Sequence, residues 1–177
     1  MENPSKKSVD ELYSFLEYGN LPITPDGCFL AYKVVNPNYK DKYSGKFDNS
    51  LGAVCEMPRN NVDDRSENTC SYGLHFCSRE YAENFFYSHG DHLMVIKINP
   101  KDVVSIPVDY NNTKGRCCRY EVTGEIPVVD RRITVDLSDY SVCSEYGDYY
   151  EGFEEGYEVG YDEGYEDGRE DEYNSIF

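Results

Sequence analysis

The chain has no run of roughly 18 apolar residues, the length needed to cross a bilayer, and its first residues, MENPSKKSVDEL, hold no hydrophobic signal region. These two absences point to a cytosolic protein. Positive charge is also scarce: 17 Lys and Arg stand against 34 Asp and Glu, a formal net charge of −17. Nucleic-acid backbones are held largely by Lys and Arg that displace counterions, so direct binding of DNA or RNA is not expected. No phosphate-cradling GxxxxGK[ST] occurs, and no Ser-His-Asp or Cys-His order marks a nucleophile. The seven cysteines, Cys28, Cys55, Cys70, Cys77, Cys117, Cys118 and Cys143, lack the paired CxxC spacing of zinc sites. Several sit among apolar neighbours and read as reduced core thiols. The spacing of Cys70, His75 and Cys77 is a weak metal pattern, and no metal is expected.

What is present is enough for one domain. The 177 residues allow a single hydrophobic core plus an appendage. Charge separates the two: −12 of the net charge falls between Glu145 and Tyr173, leaving only −5 for everything else. That acidic segment repeats every four residues, with Gly152, Gly156, Gly160, Gly164 and Gly168, and with Phe153, Tyr157, Tyr161 and Tyr165 after the first four. A period of four advances about 40° per repeat on a helix, so the pattern suits slowly winding helical stripes rather than a strand. Interior glycines and repelling carboxylates weaken such a helix, each glycine by about 1 kcal/mol. Residues 145–177 are therefore expected to be disordered or weakly helical. Close packing of the Gly and Tyr stripes, and with it homo-oligomerisation, is the alternative.

The body reads as α+β, with a mixed or antiparallel sheet and a few short helices. SVDELYSFLEYG places Val9, Leu12, Tyr13 and Leu16 at helical spacing, with Ser8 and Glu11 as a capping box, inside an N-terminal segment 1–25. From 26 to 130 the strand candidates are CFLAYKVV, GAVCEMP, GLHFCS, LMVIKI, VVSIPVDY and RCCRYEVTGEIPVV. CFLAYKVV is apolar and β-rich, as in a central strand. SREYAENFF follows GLHFCS as a helix capped by Ser78. Strands and helices do not alternate as βαβ units, which excludes a Rossmann-like arrangement. Residues 131–144 read as a last strand or tether.

The order NPSKKSVDELYSFL, ITPDGCFLAYKVV, NYKDKYSGKFDNSLG, MPRNNVDD, TCSYGLHFCSREY and NPKDVVSIPVDYNNTKGRCCRYEV resembles the C-terminal half of the rapid-lysis rIIB family of T-even bacteriophages, over about residues 2–127. The larger family proteins carry an N-terminal region similar to a helix-turn-helix module, which has no counterpart here. The acidic tail is not a family feature. The resemblance implies an accessory phage protein that binds another protein in the cytoplasm of the infected bacterium. Its partner would be an rIIA-like phage protein, peripheral at the inner membrane, or a host or prophage defence protein. Its roles would be lysis timing and protection against defence. It implies no catalytic residue and no cofactor.

A second, shorter resemblance, in GLHFCSREYAENFF and LMVIKI, is to ADP-ribosyltransferases. It would put Tyr32, His75 and Glu121 at the three strand positions that hold NAD or ADP-ribose, with Glu121 stabilising an oxocarbenium-like ribose. The His-Tyr-Glu and Arg-Ser-Glu sets and the ExE pattern of that family are absent. Arg59, Arg65, Lys114, Arg116 and Arg119 form a candidate basic patch for an acidic partner or phosphate, against a plainer reading as a solvated face. For His75 the plainer reading is a hydrogen-bonded core histidine; for Glu121 it is a cross-strand ion pair with Arg119 or Arg116. His89 and His92, flanking a Gly-Asp turn, read as solvated. A DNA-mimic inhibitor is a third class, but its carboxylates would need a rigid array rather than a glycine-rich tail.

Overall fold

The computed structural model describes residues 3–85, 90–129, 132–133 and 137. The chain divides into two units, Met1–Val142 and Cys143–Phe177. The acidic repeat, and the expectations of disorder or oligomerisation placed on it, lie outside the described residues.

Helix α1 runs Lys6–Gly19 and ends on Asn20, whose left-handed φ of 46° closes the last turn. Its N-cap is Ser5, which accepts from the backbone N–H of Ser8, so the capping box expected at Ser8 and Glu11 sits elsewhere. Both of those side chains are used at long range instead: Ser8 donates to the carbonyl of Val104 at 2.6 Å, and Glu11 accepts from the Ile106 N–H at 3.0 Å. A burial-driven tertiary contact has displaced a local one.

The strands are β1 (Phe29–Val35), β2 (Val54–Glu56), β3 (Leu74–Cys77), β4 (His92–Ile98), β5 (Val103–Ser105), β6 (Lys114–Cys117) and β7 (Arg119–Ile126). They form one antiparallel sheet in the order β2-β7-β4-β1-β3-β6-β5. Strands β8 (Val128–Val129) and β9 (Arg132–Ile133) make a separate hairpin. The apolar run predicted to be central is central: every residue of β1 is buried. The single strand expected over RCCRYEVTGEIPVV is split at Cys118.

That split decides the shape. β6 and β7 are consecutive in the chain, separated only by Cys118, yet four places apart in the sheet. The run β7-β4-β1-β3-β6 is therefore joined at its ends by the chain itself, and the sheet must curl into a ring, with a corner where the long strand changes partners. Cys118 binds both flanks there: its N–H donates to Asp102 O and its carbonyl accepts from Met57 N, each at 2.9 Å.

Alternation puts Phe29, Ala31, Lys33 and Val35 on the inner face and Leu30, Tyr32 and Val34 on the outer. The inner face is aromatic and tight. Phe76 stands edge-on to Phe29 and Phe15 with centroids 5.7 and 5.3 Å apart. Its ring lies so close to Gly115 that a Cβ there would approach within 2.1 Å; only glycine fits that position. Helix α2 (Arg79–Phe85) packs on the outer face of β1 with Ala82 buried.

Candidate functional site

Two polar side chains inside this apolar ring set up the site. Lys33 lies within β1 and is 8% exposed. The ladder between β1 and β3 holds only at Tyr32 opposite Cys77. Past that point Lys33 Nζ donates to the carbonyl of His75 at 2.9 Å and sits 5.4 Å from the centre of the Tyr120 ring. Burial pushes its pKa down. Tyr120 in turn donates to Asn49 Oδ1 at 2.5 Å, and its phenol is driven far up by burial. Asn49 is fully buried and donates to the carbonyl of Phe47. The FDNS segment thus plugs the ring from the loop side.

His75 itself points to the outer face, where its register partner is Arg116 and Lys114 is opposite Cys77 two residues along. Directly opposed residues on neighbouring strands have Cβ atoms about 5 Å apart. Burial first, and then the fields of Lys33, Arg116 and Lys114, take the His75 pKa down to about 4. A neutral imidazole is therefore surrounded by cations. Arg116 is fully buried: its guanidinium donates to the carbonyls of Asn68 and Arg65 at 2.6 Å each and to Ser105 Oγ at 3.2 Å. Lys114 pairs with Asp109 at 2.7 Å and lies 5.6 Å from the Tyr81 ring centre.

The structure does not gather Tyr32, His75 and Glu121. Tyr32 and His75 share the outer face as diagonal neighbours across β1 and β3. The Tyr32 hydroxyl accepts from the Leu137 N–H at 3.2 Å and floors a cleft of about 250 Å³ that Tyr18, Leu21, Arg79 and Glu83 help to line. That volume falls below the roughly 300–1,000 Å³ of small-molecule sites. Glu121 is exposed on β7, two strands from β1, opposite Lys97 and Val54.

The five basic residues do not form a patch either. Arg59 caps the edge of β5, donating to the carbonyls of Val103 and Lys101 and to Asn3 Oδ1. Arg65 forks onto Asp63, and Arg119 pairs with Glu56 at 3.6 Å. Arg116 and Lys114 are interior, which corrects the solvated-face reading for these two. β6 is buried along its whole length and so carries no alternation that would reveal it.

Sequence reasoning passed over one further cluster. His92, expected to be solvated, is half-buried; its Nδ1 lies 2.6 Å from Glu125 Oε1 and its ring stacks on Tyr39 at 4.0 Å. Tyr39 donates to the other oxygen of Glu125 at 3.1 Å. Tyr39 has a positive φ of 56°, and nothing in the local sequence signals the cluster. His89 lies outside the described residues. Among the described residues, no group of three or more His, Cys, Asp or Glu is placed to hold a metal ion.

The family described as Bacteriophage T4 protein rIIB matches residues 1–132. The chain belongs to the rIIB family. It is 48% identical over 126 residues to protein rIIB of Enterobacteria phage T4, a stretch that covers 71% of this chain and 40% of that protein. The chain thus spans less than half of that rIIB protein. No solved structure matches it. The family region takes in the whole seven-stranded ring, so Lys33, His75, Arg116 and Tyr120 all belong to the rIIB part of the chain, and the acidic repeat lies beyond it.

Proposed function

We propose that the chain works as a phage accessory protein of rIIB type, by binding another protein in the infected bacterium to set lysis timing or to blunt a host or prophage defence. The observation that carries this reading is the family match over residues 1–132. The site geometry supports a binding module over a transferase. Polar side chains in the ring are spent on holding loops and strands together, and the three residues a nucleotide transfer would need are dispersed. The partner to test first is an rIIA-like phage protein at the inner face of the membrane.

The test uses the full chain, tagged, in bacteria infected by a phage that lacks its own rIIB. Recovery of an rIIA-like protein with the tag, together with restored lysis timing or growth on a prophage-bearing host, is the expected result. Soluble, folded chain that neither recovers such a protein nor changes either phenotype rejects the reading.

A further inference from the structure

The outer face of β3 and β6 gathers positive charge around His75. The chain is strongly acidic, yet Arg116 stands directly opposite His75, Lys114 stands one pair further along, and Lys33 reaches the His75 carbonyl from inside the ring. Arg116 faces the carboxylates of Asp63, Asp109, Glu11 and Asp64, whereas the one carboxylate whose field acts strongly on His75 is that of Asp41. Asp109 is paired to Lys114 through one oxygen, and its other oxygen is buried with no hydrogen-bond partner. Asp41 spends its oxygens on the N–H groups of Ser44, Lys46 and Phe47 and on the Ser44 hydroxyl.

Two donors at this place are unused. Arg116 Nε is buried without a partner, although the side chain is completely enclosed. A buried N–H left unpaired costs about 1–3 kcal/mol, so its retention calls for an explanation. The half-buried imidazole of His75 likewise has no hydrogen bond to either ring nitrogen among the described residues; its only ring contact is the exposed Tyr43, with centroids 6.3 Å apart. A positive field beside an unpartnered imidazole and an orphaned guanidinium N–H is the chemistry that receives an anion.

We propose that the β3–β6 face around His75 binds a small anion carrying one phosphate or carboxylate group, with His75 as its direct donor and Arg116, Lys114 and Lys33 supplying the field. The proposal is independent of the protein-binding reading. Binding and protonation are coupled here. The anion offsets the cations that keep the imidazole neutral, so it draws a proton onto His75, and affinity increases as pH falls.

The experiment is a pH titration of the histidine ring signals by NMR on the full chain, with His75 assigned through His75→Gln. It is run at constant ionic strength in chloride alone, then with millimolar inorganic phosphate, acetate or a nucleoside monophosphate. In chloride His75 titrates at about pH 4. With phosphate the His75 midpoint rises by about one pH unit or more. A matching rise with acetate assigns the site to a single anionic group of either kind. A larger rise with the nucleotide assigns it to a phosphate ester. A His75 midpoint that is the same in all four solutions overturns the proposal. Because the readout is on the unaltered protein, a His75→Gln variant that folds poorly does not spoil it; assignment then rests on the low midpoint itself.

Discussion

The two long polar connections, residues 36–50 and 59–72, have similar compositions and opposite construction. Each is wound on an aspartate. Asp41 collects backbone N–H groups in the first, and Asp63 collects Arg65, Asn68 and Ser71 in the second. Hydrogen bonds from Arg65, then Ser71 and Asn68, hold the Asp63 carboxyl far below the usual carboxylate range. They differ in how they grip the ring. The first loop sends in a neutral amide, Asn49, which accepts from Tyr120; the second receives a charge, Arg116, into its own carbonyls. The first contact is one hydrogen bond between neutral groups and the second is two from a buried charge, so the kind of group buried, together with the count, should decide what each loop is worth.

The strongest way to break that comparison is Arg116→Ala. It leaves the buried acceptors of Arg65, Asn68 and Ser105 unpaired and opens space in the sheet, so a loss of about 3–5 kcal/mol in denaturant unfolding is expected. A loss under about 1 kcal/mol would mean that the loop repacks and the charge is not its anchor. Next in size is the pH dependence of His75. Its folded pKa of about 4 lies below the usual 6.5, so between those values the unfolded chain binds more protons and acid favours unfolding. Stability from this group is full above about pH 6.5 and falls as pH drops toward 4, by about 2–3 kcal/mol. His75→Gln should flatten unfolding free energies across that window. Arg116→Met should raise the His75 midpoint, whereas Asn49→Ala, at the neutral contact, should leave it alone.

Asn49→Ala is expected to cost about 2 kcal/mol, the penalty of a buried Tyr120 hydroxyl without its acceptor. Adding Tyr120→Phe should recover part of that loss, because both partners are then gone. Finally, Arg119→Ala breaks only the exposed pair with Glu56 and should change stability by no more than about 0.5 kcal/mol. Equal losses for Arg119→Ala and Arg116→Ala would erase the distinction between interior and rim cations.

Much of the fold was legible because periodicity and punctuation carry it. The run FLAYKVV announced a central strand, the helical spacing of Val9, Leu12, Tyr13 and Leu16 announced α1, and Ser78 announced α2. The ring closure was not legible. RCCRYEVTGEIPVV reads as one strand, since nothing in side-chain alternation records that the residues either side of Cys118 pair with different neighbours. The site suffered from the same blindness. Lys33 and Arg116 carry charges that normally mean surface, and a strand buried on both faces gives no alternation to overrule that expectation. The His92–Glu125–Tyr39 cluster joins residues from a loop and two strands and includes one left-handed residue, which sequence spacing does not encode.

The corner at Cys118 also has a consequence for synthesis. β1 is finished early on the ribosome, but its neighbour β4 ends at Ile98 and the segment that closes the ring ends at Ile126. At roughly 5–20 residues per second, the interval between Val35 and Ile98 is on the order of several seconds. Through that time the fully buried central strand has no complete set of neighbours. The nascent chain should therefore be an early client of the host's ribosome-bound chaperones, and its yield should respond to translation speed across residues 36–98 more than to codons beyond them.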